Sequence, residues 1–369
     1  MVKPSITLLA LLALASWVVG PAEAAPSLKA LGTYLCPATE RCEVLAVGPL
    51  LAQGVAVLIG GKSQNQAAGI ARIVLCASDG KPCRKVDQWS TEAVLHRLDV
   101  SMLAVPGGVE VVTRDSESST HLRTVDHRGA VTLHKLPFSL GARLVASDGQ
   151  RKMIVRGYPS GIGLVDGDIG AEMRSLQIVD GISIENLISI KKMGADAVYA
   201  RLLPGATAQA PKAVVERLSK AGLLRCQYTV DGVPEELAAW GSREAILFNN
   251  IDSKGDNAWS VGLASCASAK LVAAVVPLPP ERVKSAAMAC AARCAVGVLT
   301  RSRYEILDIS PQDNGLKFTR EVDFIVPAGE VLGGIVMAAD ANDTIVVTAG
   351  TVLAGRDLVS SIKVFRVVR

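Results

Sequence analysis

His121 and His134 are the side chains in this 369-residue chain whose spacing comes nearest to a metal site. A hairpin centred between His127 and Arg128 sets them opposite each other across two outer strands. Imidazoles about 5 Å apart on one sheet face can share a transition ion. A slip of one residue puts them on opposite faces and leaves two solvated polar side chains. The stretch Asn249–Asn257 offers carboxamides and carboxylates around Gly255, the donor type that wraps calcium. Its spacing departs from the EF-hand loop, and Lys254 stands where an oxygen ligand would help, so a polar loop is the better reading. No metal is assigned to either stretch.

Covalent and cofactor chemistry has no foothold in the motifs. G-x-S-x-G, the P-loop, H-E-x-x-H and C-x-x-C-H are all missing. Gly161-Ile162-Gly163 does not extend to G-x-G-x-x-G, and a glycine turn between two strands accounts for it. No cofactor is implied.

The eight cysteines, without a C-x-x-C or a neighbouring histidine, read as disulfides of an exported chain. Cys36 with Cys42, Cys76 with Cys83, and Cys290 with Cys294 are local pairs. Cys226 and Cys266 then remain for each other, although other connectivities stay open. Lys3, the apolar run Ile6–Gly20 and Ala22-Glu23-Ala24 have the layout of a signal peptide over residues 1–24. A mature chain starting at Ala25 belongs in the periplasm or outside the cell. No later stretch is apolar for the ~18 residues that a spanning helix needs. A formal charge of +4, mixed along the chain, leaves no nucleic-acid footprint.

The elements that must position any site repeat. Short apolar runs at Val55–Ile59, Val109–Val112, Met153–Val155, Ala197–Ala200, Ala245–Phe248, Ala295–Val298 and Thr344–Val347 each follow a polar turn. Their centres are 54, 43, 44, 48, 50 and 50 residues apart, the range of a radial or stacked array. Each repeat divides into four short strands, here A to D, with strand B apolar on consecutive positions, as befits a sheet covered on both faces. Ala104, Ala146, Ile190, Ala239, Ala289 and Ala338 recur seven or eight residues before the strand-B centres. Small side chains on the innermost strand suit sheets that converge on a narrow axis. The last repeat lacks a fourth strand, whereas Leu28–Cys36 is a surplus strand before the first. Joining the two closes a ring of seven four-stranded antiparallel blades, and Cys36–Cys42 would lock it.

On these features the chain resembles the seven-bladed β-propellers, most nearly the YVTN and WD-like repeats of exported proteins. The stretch Ala338-Ala339-Asp340-Ala341-Asn342-Asp343-Thr344-Ile345-Val346-Val347, followed by Ser361–Phe365, carries that family's sequence of strand, Asp/Asn turn, apolar strand and final strand. The G-H and W-D marks of WD repeats are absent. The resemblance implies one all-β domain over residues 25–369, closed by the N-terminal strand, and leaves the activity open.

Strands that alternate in direction put all B–C and D–A connections on one face of the disc. The long connections expected there are Gly60–Gly69, Leu202–Lys212, Asn249–Asn257 and Gly350–Leu358. Insertions gathered on one face mark a binding face. Its polar candidates are Lys62, Gln64, Asn65, Asp252, Lys254, Asp256, Arg356 and Asp357. The reading is a non-enzymatic module that takes a protein or a surface polymer on this face. The alternative is a propeller enzyme, either a lactonase-like hydrolase or the large subunit of a periplasmic dehydrogenase, drawing on Asp148, Lys191 and Asp340 near the axis.

Overall fold

Each of the seven apolar runs becomes the second strand of an antiparallel sheet. The structure is a computed structural model. It describes residues 26–50, 54–63, 68–77, 79–95, 100–116, 119–136, 142–147, 152–158, 161–166, 174–180, 187–193, 196–202, 212–218, 223–251, 257–266, 270–271, 276–277, 283–312, 315–325, 330–340, 343–354 and 357–369. Residues 1–24 lie outside that set.

Strand β1 (Ser27–Leu35) comes first and stands apart from the first sheet. Blade one is β2 (Glu40–Leu50), β3 (Gly54–Ser63), β4 (Gly69–Cys76) and β5 (Arg84–Thr91). Blade two is β6 (Val100–Val105), β7 (Gly108–Ser116), β8 (Ser119–Asp126) and β9 (Val131–Lys135). Blade three is β10 (Ala142–Ser147), β11 (Lys152–Tyr158), β12 (Gly161–Asp166) and β13 (Arg174–Asp180). Blade four is β14 (Leu187–Met193), β15 (Asp196–Leu202), β16 (Lys212–Leu218) and β17 (Leu224–Asp231). Blade five is β18 (Val233–Trp240), β19 (Arg243–Ile251) and β20 (Asn257–Ser265), edged by the fragments β21 (Lys270–Leu271) and β22 (Val276–Pro277). Blade six is β23 (Ser285–Cys290), β24 (Cys294–Leu299), β25 (Arg303–Gln312) and β26 (Gly315–Ile325). Blade seven contributes β27 (Val331–Asp340), β28 (Asp343–Ala354) and β29 (Asp357–Val368).

The first strands of successive blades touch in the order β2, β6, β10, β14, β18, β23 and β27, and β27 returns to β2. Seven sheets around one axis make this a seven-bladed β-propeller. Ala104, Ala146, Ile190, Ala239, Ala289 and Ala338 all lie on these inner strands, where the taper leaves least room. Strand β2, like β10, β14, β18 and β27, has a register shift against its neighbour, an extra residue that lets the inner strand twist sharply.

The apolar core lies between blades. Val55, Val57 and Ile59 pack towards blade seven while Ala56 and Leu58 pack towards blade two, and all five are fully buried. This is why strand B is apolar on consecutive positions rather than on alternate ones. Burying each larger aliphatic side chain contributes about 1.5–3 kcal/mol. The same sandwiching recurs between blades four and five, five and six, and six and seven.

Closure is antiparallel pairing of the first strand with the last. Ladder pairs run from Ser27 with Val368 to Leu35 with Ser361, and the sheet order is β1-β29-β28-β27. The Cys36–Cys42 disulfide then joins the closing strand to blade one. Beside it the Cys42 N–H donates to Ser360 Oγ at 3.1 Å, and the Cys36 N–H donates to the Ser360 carbonyl at 2.9 Å. The Cys76–Cys83 bridge packs under the same strand, and the Cys83 N–H donates to the Thr33 carbonyl at 2.9 Å. Cys226–Cys266 links β17 of blade four to the end of β20 in blade five, and Cys290–Cys294 spans a turn of blade six. All four pairs are those read from the spacing.

One expected loop is corrected. Gly350–Leu358 is mostly strand: the ladder continues through Val352 with Val359, Leu353 with Leu358, and Ala354 with Asp357. Paired β-formers on both arms outweigh the flanking glycines, so a two-stranded ribbon projects where a long loop was expected.

Closure depends on close approach at Gly32. A Cβ there would lie 2.7 Å from the Lys81 carbonyl oxygen and 2.8 Å from Cys83 Sγ, whereas Gly315 faces open space. Gly32→Ala is therefore expected to destabilise the protein by about 1–3 kcal/mol in urea unfolding. Gly315→Ala should stay within about 0.5 kcal/mol of wild type. Equal behaviour of the two variants would contradict the tight seating of β1.

Candidate functional site

Among the described residues a candidate site lies on the B–C and D–A face, at the seam of blades one and two. Two short segments build it: the connection leaving β5, and the end of β7. A cavity of about 300 Å³ opens between them, lined by Glu92, Ala93, Val94, Leu95, Arg114, Asp115 and Ser116. That volume is at the lower end of small-molecule pockets. Its connection is the one that widens the first step of the repeat to 54 residues.

A bulge aims the floor of the site. Arg114 pairs with Thr120 and Ser116 with Ser119, which leaves Asp115 as the extra residue on β7. Bulges re-aim side chains, and here the carboxylate turns into the seam. Asp115 Oδ1 accepts from Trp89 Nε1 at 3.0 Å and from Thr113 Oγ1 at 2.6 Å. Its Oδ2 accepts from Arg123 Nη2 at 3.0 Å and lies 2.9 Å from His121 Nδ1.

Arg123, itself buried, also donates to Thr113 Oγ1 at 2.7 Å and reaches Asp87 of blade one at 3.3 Å. Its guanidinium carbon sits 3.6 Å from the centre of the Trp89 ring. A buried cation with two carboxylates and an aromatic face is well compensated. The network holds two blades in fixed relation under the cavity. The Glu92 N–H completes the junction by donating to the Asp115 carbonyl at 2.9 Å.

Carboxylates cross other seams in the same way. Arg217 Nη1 of blade four donates to Glu244 Oε1 of blade five at 3.3 Å. The Met288 N–H of blade six donates to Glu236 of blade five, and Arg369 of blade seven forks onto Glu321 of blade six at 2.7 Å through both contacts. Within blade one, Arg72 is 1% exposed and meets Glu40 through two contacts of 2.6 and 2.7 Å, with Gln88 on its Nε at 3.2 Å. Tyr34 of the closing strand lies beside this pair; burial pushes its phenol up, and the Arg72 charge partly offsets that.

Of the residues expected on the binding face, Lys62 is exposed at the end of β3 and Asp357 is exposed at the start of β29. Gln64, Asn65, Asp252, Lys254, Asp256 and Arg356 lie outside the described residues, as does Asp148. Lys191 and Asp340 belong to the inner strands β14 and β27. The seam network itself escaped the sequence. The nearest signal was a single cation beside apolar positions, Arg123 after Leu122 in the mostly polar β8, as Arg72 stands among the apolar residues of β4 within blade one.

The histidine pair does not form. Strand β8 pairs with β9 so that His121 faces Lys135 and His134 faces Leu122. The turn spends three residues, His127–Gly129, between Asp126 and Ala130, with Gly129 at φ +87°. Asp126 Oδ1 accepts from the Arg128 and Ala130 N–H groups, both at 2.8 Å, and fixes that geometry. The glycine thus shifts the register by one residue and sends the two imidazoles to opposite faces. Among the described residues no group of three or more His, Cys, Asp or Glu side chains is gathered for a metal.

No family model matches the chain. No curated protein matches it either. Among solved structures, Sqt1 from Chaetomium thermophilum is similar with a TM-score of 0.50 and 9% identity, over 92% of this chain and 99% of that one. The polysaccharide lyase Uly1 is similar with a TM-score of 0.50 and 10% identity, over 87% of this chain and 89% of that one. The likeness is one of fold: these are propeller proteins, and so is this.

Two outcomes test the electrostatics. Arg123→Ala strands Asp115 and Asp87 in the seam and should cost about 3–5 kcal/mol in denaturant unfolding; a loss below 1 kcal/mol would refute the network's role. Burial raises the Glu244 carboxyl above its ordinary value of 4.5, with the Arg217 charge pulling it back. The folded protein therefore keeps that proton to higher pH than the unfolded chain does. Stability should fall as pH rises above 4.5 through the raised value, and Glu244→Gln should lack that component. Parallel stability profiles for the two proteins would count against it.

Proposed function

We propose that this propeller is an exported binding module that receives its partner on the face carrying the B–C and D–A connections. The observation that carries the reading is the cavity at the seam of blades one and two. It opens on the face where the repeat is widened, above a rigid two-blade junction. A rigid scaffold beneath a shaped opening is how a repeat protein presents a binding surface.

The chemistry of the floor favours binding over catalysis. Asp115 already accepts from Trp89, Thr113 and Arg123, so its lone pairs are committed to structure and not to a proton in flight. The likeness to a polysaccharide lyase carries no residues with it at that identity. Four disulfides mark an oxidising environment. With the signal-like first 24 residues, they support work in the periplasm or outside the cell.

A photo-crosslinking side chain distinguishes the two faces. Placed at Lys62 or Glu92, it is expected to give a discrete adduct in an extract of the native compartment. Placed at Arg128 or Ser242, in turns of the opposite face, it should give none. Adducts from the second pair alone, or from neither pair, would overturn the assignment.

A further inference from the structure

The seam between blades seven and one carries a second surface on the same face. Eight large hydrophobic residues stand exposed among the described residues, and three of them gather on one side of blade seven at this end. Val331 is 65% exposed, and Leu353 and Leu358 are each 64% exposed. Leu353 and Leu358 are direct cross-strand partners and share one side of the projecting β28–β29 ribbon. Val331 pairs with Thr351, two residues before Leu353, so it joins the same side. Scattered single hydrophobics need no explanation, but a paired and clustered set does.

Cations lie next to this cluster. Arg41 and Lys62 are exposed and directly opposite each other on β2 and β3. Like charges in that relation repel, at a cost of a few tenths of a kcal/mol to about 1. Neither makes an ion pair with any described residue, and Glu43, the next acid on that side of β2, does not reach them. The ladder keeps the two groups adjacent: Ser360, two residues from Leu358, accepts from the N–H of Cys42, the residue after Arg41. Among the described residues two acids stand by the ribbon: Asp357, exposed at its tip, and Glu330, its side chain buried beside Gly350 and paired with Lys363.

We propose that this seam docks a protein segment that carries aliphatic side chains flanked by carboxylates. The aliphatic set supplies the dehydrated centre and the Arg41–Lys62 pair supplies the charged rim, the usual division of a protein–protein contact. Partner carboxylates relieve the repulsion between the two cations, which gives the contact its sign. Among the described residues none of the exposed large hydrophobics is aromatic, so this described surface offers no exposed ring on which a sugar could stack. The inference deepens the binding-face reading and rests on it.

Selection of a random twelve-residue peptide display library on the full oxidised protein tests the chemistry. Enriched peptides should combine Leu, Ile or Val with Asp or Glu. The double variant Leu353→Ser/Leu358→Ser should weaken them at least tenfold at any salt concentration. Arg41→Ser/Lys62→Ser should weaken them severalfold at low salt and little at high salt. Both pairs are exposed, so folding is retained and is checked by the unfolding midpoint. Basic or purely polar peptides, or equal binding to both variants, would overturn the proposal. Binding only to phosphatidylglycerol vesicles would overturn it in favour of a membrane surface, and Leu353-dependent dimerisation in sedimentation would do so in favour of a second copy. Adducts from Lys62 and Glu92 that persist after such a failure would leave the binding face standing without this partner.

Discussion

The pairing of β1 with β29 is the constraint on which everything else depends. A blade is a thin sheet whose two faces are both apolar, so it has no stable existence except between two neighbours. Six such sheets can satisfy one another in a row, but the two ends of the row cannot. Only when the N-terminal strand completes blade seven does every apolar face find a cover, and the last open edge is removed with it. The Cys36–Cys42 bridge and the contact of Gly32 with the Cys76–Cys83 bridge fasten this one junction from two directions.

Charge does a different job from apolar area. Aliphatic side chains hold the blades together but do little to fix one blade's height against the next. The seam carboxylates do, because a buried ion pair tolerates little displacement before its desolvation is uncompensated. Asp115, Glu244, Glu236 and Glu321 each fix one blade against its neighbour. The cavity floor is therefore held as firmly as the ring, and Glu92–Leu95 after β5 line the opening above it.

Much of the architecture was readable in advance because it follows from one-dimensional regularities. The fully covered strand B shows in Val55–Ile59, the narrow axis in the recurrent inner alanines, and closure in a surplus strand facing a deficit. Three disulfides were readable because their cysteines are close in sequence, and Cys226–Cys266 was the pair that remained. What escaped depended on single-residue offsets or on contacts between blades. Gly129 moved His134 out of reach of His121, and only the turn's hydrogen bonds decide that. Leu353 and Leu358 looked like loop because Gly350 stands before them and Gly355 between them, yet their cross-strand pairing outweighs that signal. Asp115 needed a bulge, a tryptophan from another blade and an arginine from another strand, none of which a linear pattern records.

The order in which the ribosome makes this chain bears on its closure. Strand β1 is synthesised first and its partner β29 last, so Ser27 must wait for Val368. Until then every intermediate has an unsatisfied strand at each end, a state prone to aggregate and slow to resolve. A chain truncated near its C-terminus would retain most of its core and yet expose β1 throughout its lifetime. The first strand thus acts as a reporter of β29, hidden only in molecules in which that partner has been made.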